Sequence, residues 1–459
     1  MNRLYFVLVS AICIYCQPNF KANFYIQPYL QNVNQHGITI LWWTESSCDT
    51  NFVFYGESKY FTSKRASNKY IVAVGKYLHE VEISKLKPET SYHYYVQSGS
   101  YKSRKYTFQT AIKQESDFHF VVLGDGRTDN DRVIKNHRTV TKLAWQQHPH
   151  IAFHLGDFVY SGDQLHWDRF WRQIATASDS YDPGLTFASH IPYYLAVGNH
   201  EIYSKKTKYN EGNLTSTMAR FKAYVSNPSN NCKNPLWEER YYAFTYGAAR
   251  FIILDTNNTS GDSLDNHKYL PDGSTPDWEP GSEQYNWLKQ ELEQAQHNSV
   301  FTFVMMHPAP YSRGGHGNPE EVQSGWHIRA LDPLFRSYGV DAVFCSHDHL
   351  VERCLTGAPG FEEIFDDSNP ENLNYFVIGN SGESSRPAAD RWQSWMDIQN
   401  NDSAPYYTRY FYDWVGKENY SFLDVQITNL KNGTWQATFQ VIRDDGERFD
   451  RFSIVREIL

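Results

Sequence analysis

The 459-residue sequence has no run of basic residues, no internal repeat and, past its first few residues, no apolar stretch long enough to cross a bilayer. The first absence argues against nucleic acid or an anionic membrane surface as a partner. The last argues against a membrane span in the mature chain. Cysteine is also scarce. Of six, Cys13 and Cys16 lie near the N-terminus, leaving Cys48, Cys232, Cys345 and Cys354. Those four are compatible with one or two disulfides in an oxidising compartment, although Cys345, which ends an apolar strand, also reads as a buried thiol. The net charge is a modest −9, and aromatic residues are plentiful, 33 Tyr and 13 Trp among them, as in many secreted β-rich and carbohydrate-contacting proteins. The length allows a large core and two domains or more.

Arg3 precedes an apolar run over residues 4–13, too short for a comfortable span and placed where a secretory signal peptide belongs. Residues 1–17 therefore read as a signal peptide and the protein as secreted or extracytoplasmic, with an uncleaved anchor or a first core strand as the alternatives. Tyr15 stands where a lipid-modified Cys16 would want a small neighbour. Glycosylation acceptor patterns begin at Asn213, Asn257, Asn258, Asn401, Asn419 and Asn432.

Residues 24–112 show short alternating strands separated by turns, at 38–44, 51–55, 78–83 and 91–96, the pattern of a small β-sandwich. The segment carries no cluster of acids, bases or thiols and reads as structural. From residue 116 to 459 apolar strands alternate with amphipathic helices, predicting a layered α/β domain. Helices are expected near 131–147, 164–177, 282–296 and 328–338. A long polar loop at 257–281 reads as a lip of the site, and β-like pieces at 421–428, 434–442 and 448–455 as a second sheet completing the domain.

The chain is organised around residues 153–160, an apolar strand that breaks at Gly156 and is followed by Asp157 and, three residues on, Tyr160. A carboxylate at the carboxyl end of a buried strand points into the crevice where open α/β sheets place ligands. Four more motifs repeat this arrangement: Gly124-Asp125-Gly126, Gly198-Asn199-His200-Glu201, Val304-Met305-Met306-His307 and Ser346-His347-Asp348-His349. Each follows an apolar strand, so all five are expected on one edge of the sheet. A lone motif of this kind is a solvated strand end; five together predict a metal centre.

This ordered set resembles the calcineurin-like metallophosphoesterase superfamily, and Gly-Asp-x-x-Tyr resembles the purple acid phosphatases in particular, over essentially the whole mature chain. The N-terminal Leu-x-Pro-x-Thr-x-Tyr stretch resembles a fibronectin type III module. The resemblance implies an α/β metal domain, a two-sheet sandwich flanked by helices, preceded by that all-β sandwich. It implies that Asp125, Tyr160 and His349 bind a ferric ion, that Asn199, His307 and His347 bind a divalent Zn, Fe or Mn, and that Asp157 bridges the two. Two carboxylates, a phenolate and an imidazole suit a hard trivalent ion, whereas an amide oxygen and two imidazoles suit a softer divalent one. Many relatives in the superfamily hold the first ion through Asp-x-His; here that His position is Arg127, which cannot ligate a cation, and Tyr160 would replace the lost ligand.

The implied activity is a secreted acid phosphatase in which metal-bound hydroxide attacks the phosphorus of a small phosphomonoester. His200 and His316 are the candidate proton donors to the leaving group, and Asn199, His200, His316 and Arg127 the candidate substrate contacts, with Arg313 a further possible phosphate ligand. Related plant enzymes carry adjacent histidines in the His316 loop, where this chain has Gly317. Ser346 replaces the usual Gly of the last motif, and no loss of metal is expected from it. Two other readings stand beside this one: a phosphodiesterase or nucleotide pyrophosphatase using the same ions, and a binding protein with a vestigial metal site.

Overall fold

The computed structural model of the protein describes residues 24–457 apart from 68, 74, 177–182, 203–210, 258–274, 319–320, 322–323, 358–371, 387–406 and 414–418. Residues 1–17, expected to be a signal peptide, and most of the 257–281 loop lie outside the described residues, as do Asn213, Asn258 and Asn401 at the level of their side chains.

The N-terminal strands pair where period-2 alternation predicts them. Strands β1 (Phe24–Asn34), β2 (Gly37–Thr44), β5 (Lys69–Ala73) and β6 (Lys76–Ile83) form one sheet in the order β1-β2-β6-β5. The second sheet contains β3 (Asn51–Gly56), β4 (Ser63–Ala66), β7 (Ser91–Ser98), β8 (Tyr101–Lys102) and β9 (Tyr106–Gln109). Leu30, Ile40, Trp42, Val53, Val81, Tyr94 and Val96 fill the space between the sheets, with the Trp42 indole N–H donating to Ser98 Oγ at 3.0 Å. The other face of β1 and β2 is buried as well: Tyr29 stacks on Trp171 at 4.0 Å and Trp43 on Tyr224 at 4.3 Å.

The α/β region has four layers. Strands β10 (Phe118–Leu123), β11 (Ile151–His154) and β12 (Tyr193–Leu195) run parallel. Helices α1 (Asp131–Gln146) and α2 (Gln164–Ile174) cover their outer face, with Val140, Ala144, Phe170 and Trp171 packed against Val121, Leu123 and Ala152. After α3 (Asn199–Ile202), α4 (Glu211–Tyr224), β13 (Tyr242–Tyr246) and β14 (Ala249–Ile253) comes α5 (Glu283–Asn298), whose N-terminus Ser282 caps by accepting from Tyr285 N–H at 3.1 Å. Strand β15 (Phe301–Pro308), α6 (Asp332–Ser337), β16 (Ala342–Ser346), β17 (Val351–Gly357), β18 (Leu373–Ile378) and β19 (Tyr407–Asp413) complete a second sheet, ordered β13-β14-β15-β16-β18-β17-β19. The single helix expected near 328–338 is a 3-10 turn, Trp326–Leu331, followed by α6, because Pro333 has no N–H and is accommodated only in a first helical turn.

Alternate residues divide between the layers. Phe120, Phe153, Phe303 and Phe344 point into the space between the two sheets, while Val304, Val343 and Cys345 point outward under α5 and α6. Phe120 sits 5.6 Å from Phe303 across that space, ring to ring. Three expectations are corrected here. Strands β20 (Ser421–Asn429), β21 (Thr434–Arg443) and β22 (Arg448–Glu457) extend the first sheet through antiparallel pairing of β20 with β10, and do not make the second sheet. The edge of β10 away from β11 would otherwise leave the backbone N–H and C=O groups of a largely buried strand unpaired, and β20 covers it. All four described cysteines are free thiols, with Cys345 and Cys354 in the core, so no disulfide joins them. Asn257 is likewise no glycan acceptor in this fold: it is buried, and its amide donates to Val197 O and Asp255 Oδ1.

Candidate metal centre

The five motifs do not share one sheet edge. Asp125, Asp157 and Asn199 follow β10, β11 and β12 of the first sheet, whereas His307 and His347 come from β15 and β16 of the second. The sheets face each other, so their carboxyl ends meet over one crevice. The turns that enter it are strained: Asp125 (φ 51), Asp157 (φ 52) and His347 (φ 75) all occupy the left-handed region that non-glycine residues avoid. Tight packing holds them there. Gly156 has φ 92, and a Cβ on it would lie 2.7 Å from both His307 Nδ1 and Gly198 N. A Cβ on Gly198 would lie 2.4 Å from Asp157 N, so these glycines permit the loops to touch.

One half of the centre converges on His307. Its Nδ1 lies 2.7 Å from Leu155 O and 2.9 Å from Ser346 Oγ. A carbonyl only accepts, so Nδ1 carries a proton and Nε2 faces the cluster; against burial, the charges of Asp157 and Asp125 push the imidazole up to about 9, so a cation would bind at Nε2 in place of a proton. Around Nε2 stand Asn199 Oδ1 at 3.0 Å, His347 Nδ1 at 3.1 Å and Asp157 Oδ1 at 3.2 Å. Asp157, His307 and His347 are fully or almost fully buried and bring their ligand atoms within 4.8 Å of one another. Two imidazoles, an amide oxygen and a carboxylate converging in this way fit a divalent cation. Ser346 thus has a use beyond being small: its hydroxyl donates to Leu155 O at 2.7 Å beside the imidazole it helps orient.

The other half is looser. Asp125 Oδ2 accepts from His347 N–H at 2.8 Å, and Asp125 Oδ1 lies 3.4 Å from His349 Nε2. That carboxylate oxygen and both ring nitrogens of His349 are buried without a hydrogen-bond partner, an arrangement that a cation would satisfy. Burial and the neighbouring charge of Asp157 push the Asp125 carboxyl up, while the imidazoles of His200 and His307 with Arg127 outweigh burial and hold Asp157 well down. Six of the seven predicted ligands therefore form one continuous chain of contacts. Tyr160 is half-buried and joins through its ring, 5.7 Å from that of His200.

The predicted substrate residues are placed differently. His200 donates its backbone N–H to Asp157 Oδ1 at 3.0 Å, its Nδ1 lies 2.6 Å from Tyr160 O, and burial pushes its imidazole down to about 4. His316 stacks on His347 at 3.9 Å; against burial, its hydrogen bond to Glu321 raises the imidazole. Arg127 is engaged by Asp157. Arg313 is tied to a carboxylate: its Nε and backbone N–H both bind the buried Glu352, at 2.6 and 3.1 Å. That pair anchors the His316 loop, which Asp348 also holds by accepting His316 N–H at 3.1 Å.

Sequence reasoning passed over Glu201. It is fully buried, and its carboxylate accepts the N–H groups of Asp157, Val159 and Gly198 at 2.9, 3.2 and 2.6 Å. Its place next to Asn199 and His200 was the one signal. Glu383 and Glu352 carried none, since neither lies in a motif.

Residues 98–351 match the family of calcineurin-like phosphoesterases, and residues 25–110 match the purple acid phosphatase N-terminal domain. The chain is 26% identical over 408 residues to acid phosphatase type 7 of Mus musculus, across 83% of this chain and 78% of that protein. It is 25% identical over 399 residues to probable purple acid phosphatase 20 of Arabidopsis thaliana, across 83% and 82%. Among solved structures its fold is like that of PhoD, with a TM-score of 0.64 at 14% identity over 96% of this chain and 91% of that one.

Proposed function

The chain belongs to the purple acid phosphatase family of calcineurin-like phosphoesterases, and on that premise we propose that it is a secreted acid phosphatase for small phosphomonoesters, working with a dinuclear centre of Fe(III) and a divalent Zn, Fe or Mn. One observation carries this reading: the buried convergence of Asp157, His307 and His347, whose ligand atoms lie within 4.8 Å of one another. Asn199, His307 and His347 would hold the divalent ion, Asp125, Tyr160 and His349 the ferric one, and Asp157 would bridge. Bound there, the two ions supply Lewis acidity and lower the pKa of water.

The chain's own residues supply the rest. Glu201 fixes the Asp157 and Asn199 turns through three backbone N–H groups. His200 directs its Nδ1 to the Tyr160 carbonyl and so keeps Nε2 toward the cluster, 3.7 Å from Asp157 Oδ2. From there it can pass a proton to a leaving oxygen once protonated. With an imidazole near 4, it is charged only in acid, which favours an acidic working range. His316, on the rim, is the second proton carrier. Secretion is supported by the apolar run that follows Arg3.

The test is elemental analysis and an optical spectrum of the purified protein, with parallel assays on p-nitrophenyl phosphate and bis(p-nitrophenyl) phosphate. Two ions per chain at saturation, a visible phenolate-to-iron band and preference for the monoester are expected. Asp157→Ala should lower turnover by about 1000-fold or more with the fold retained by circular dichroism. Wild-type turnover in that variant would refute the centre, and preference for the diester would move the assignment to phosphodiesterase.

A further inference from the structure

Arg127 lies two residues past Asp125 with φ 32, and its guanidinium, on a side chain 12% exposed, stands between two carboxylates. Nη2 donates to Asp157 Oδ2 at 3.1 Å, and Nη1 is 3.9 Å from Glu383 Oε1. The other oxygen of Asp157 serves the opposite side, accepting His200 N–H at 3.0 Å and lying 3.2 Å from His307 Nε2. The oxygen that a bridging carboxylate would turn toward Asp125 and His349 is therefore the one the arginine holds. Glu383 is a fixed alternative partner, because its backbone N–H donates to Asp125 O at 3.1 Å and keeps its loop against the site.

We propose that Arg127 is a resident cation competing with the first metal ion for Asp157, which makes the two ion sites of this chain unequal. The ion held by Asp157, Asn199, His307 and His347 binds first and tightly. The ion held by Asp125, Tyr160 and His349 binds only as the guanidinium gives up Asp157 Oδ2 and moves onto Glu383. The physical cause is direct: a guanidinium keeps its charge at any working pH, and two cations sharing one carboxylate in a buried site repel strongly. This inference rests on the dinuclear reading above and deepens it, turning Arg127 from a phosphate contact into a gate on metal loading.

The experiment is metal titration of the full chain, followed by mass-spectrometric metal content and isothermal calorimetry, with the visible iron band as a separate readout of the first site. Wild type should hold one ion per chain after dialysis and take the second with an affinity at least about tenfold lower. Arg127→Met, which keeps the aliphatic stem, should hold two ions of similar affinity and develop the visible band at correspondingly lower iron. Glu383→Gln should weaken only the second ion, by removing the place to which the guanidinium retreats, and it serves if Arg127→Met does not fold. Two equal ions in wild type, unchanged in both variants, would overturn the proposal. His307→Ala separates the two levels of inference: if wild type takes up no ion, or His307→Ala loses none, the metal centre itself falls and this proposal with it.

Discussion

Glu201 is the side chain on which three backbone amides converge, and it shows how a residue that touches no substrate can set a site. A carboxylate accepts from all three, whereas an amide has one accepting oxygen and would present N–H to N–H at the other. Glu201→Gln should therefore cost about 2 kcal/mol in denaturant unfolding and loosen the Asp157 and Asn199 turns together. The accompanying measurement is retained metal, which should fall in the variant; unaltered stability with full metal content would show that the three bonds are dispensable. The need for such a residue was hidden in the sequence because burial cannot be read from a tetrapeptide. Asn199, His200 and Glu201 look equally polar there, yet one is a candidate ligand, one a candidate proton carrier and one a buried strut.

Among the elements, the strand-end turns and the His316 loop differ in what holds them. The turns are over-determined by packing, with glycines at 156 and 198 where backbone meets backbone. The His316 loop is held by fewer contacts: Asp348, which accepts His316 N–H, and the ion pair of Arg313 with Glu352 of β17. Arg313→Met would leave that carboxylate buried and unpaired, at a cost of about 3 kcal/mol, and would free the loop. If His316 helps the leaving group depart, hydrolysis of alkyl phosphates, which need a proton, should drop by more than about tenfold while p-nitrophenyl phosphate, which does not, changes little. Equal losses on both substrates would assign His316 a binding role only. Strand positions were legible from alternation, but sheet membership was not. Alternation tells which face of β20 is buried, and says nothing about whether β10 or β18 lies beside it.

At the scale of the whole molecule, one hydrophobic core runs from Leu30 and Trp42 in the sandwich to Phe303 and Phe439 in the α/β layers, and Tyr94 O–H donates across to Ser189 O at 2.7 Å. Such continuity predicts one cooperative unfolding transition. Its pH dependence follows from buried neutral imidazoles: burial pushes His79 and His137 each down to about 4. A folded-state pKa below the unfolded one means stability is complete above the ordinary value near 6.5 and is lost as pH falls through about 4. For His79 that amounts to roughly 3 kcal/mol. Asp341, pushed up to about 6 by burial, acts in the opposite sense, so the informative quantity is the difference between variants. His79→Gln should flatten the loss of stability between pH 7 and 4 by about one proton, measured by denaturant unfolding at each pH. An unchanged slope would place the acid sensitivity elsewhere.

Residue order alone determined the family, the α/β class and the identity of the candidate ligands, because a strand end followed by Asp, Asn or His is a local pattern that survives in one dimension. Which of those ligands meet, and against what, was decided only in three dimensions. The centre lies between two sheets whose carboxyl ends face each other, Asp157 shares its oxygens between a histidine side and an arginine, and Arg313 turns away to a buried glutamate. These are contacts between residues far apart in sequence, set by how the layers pack, and no local pattern encodes them.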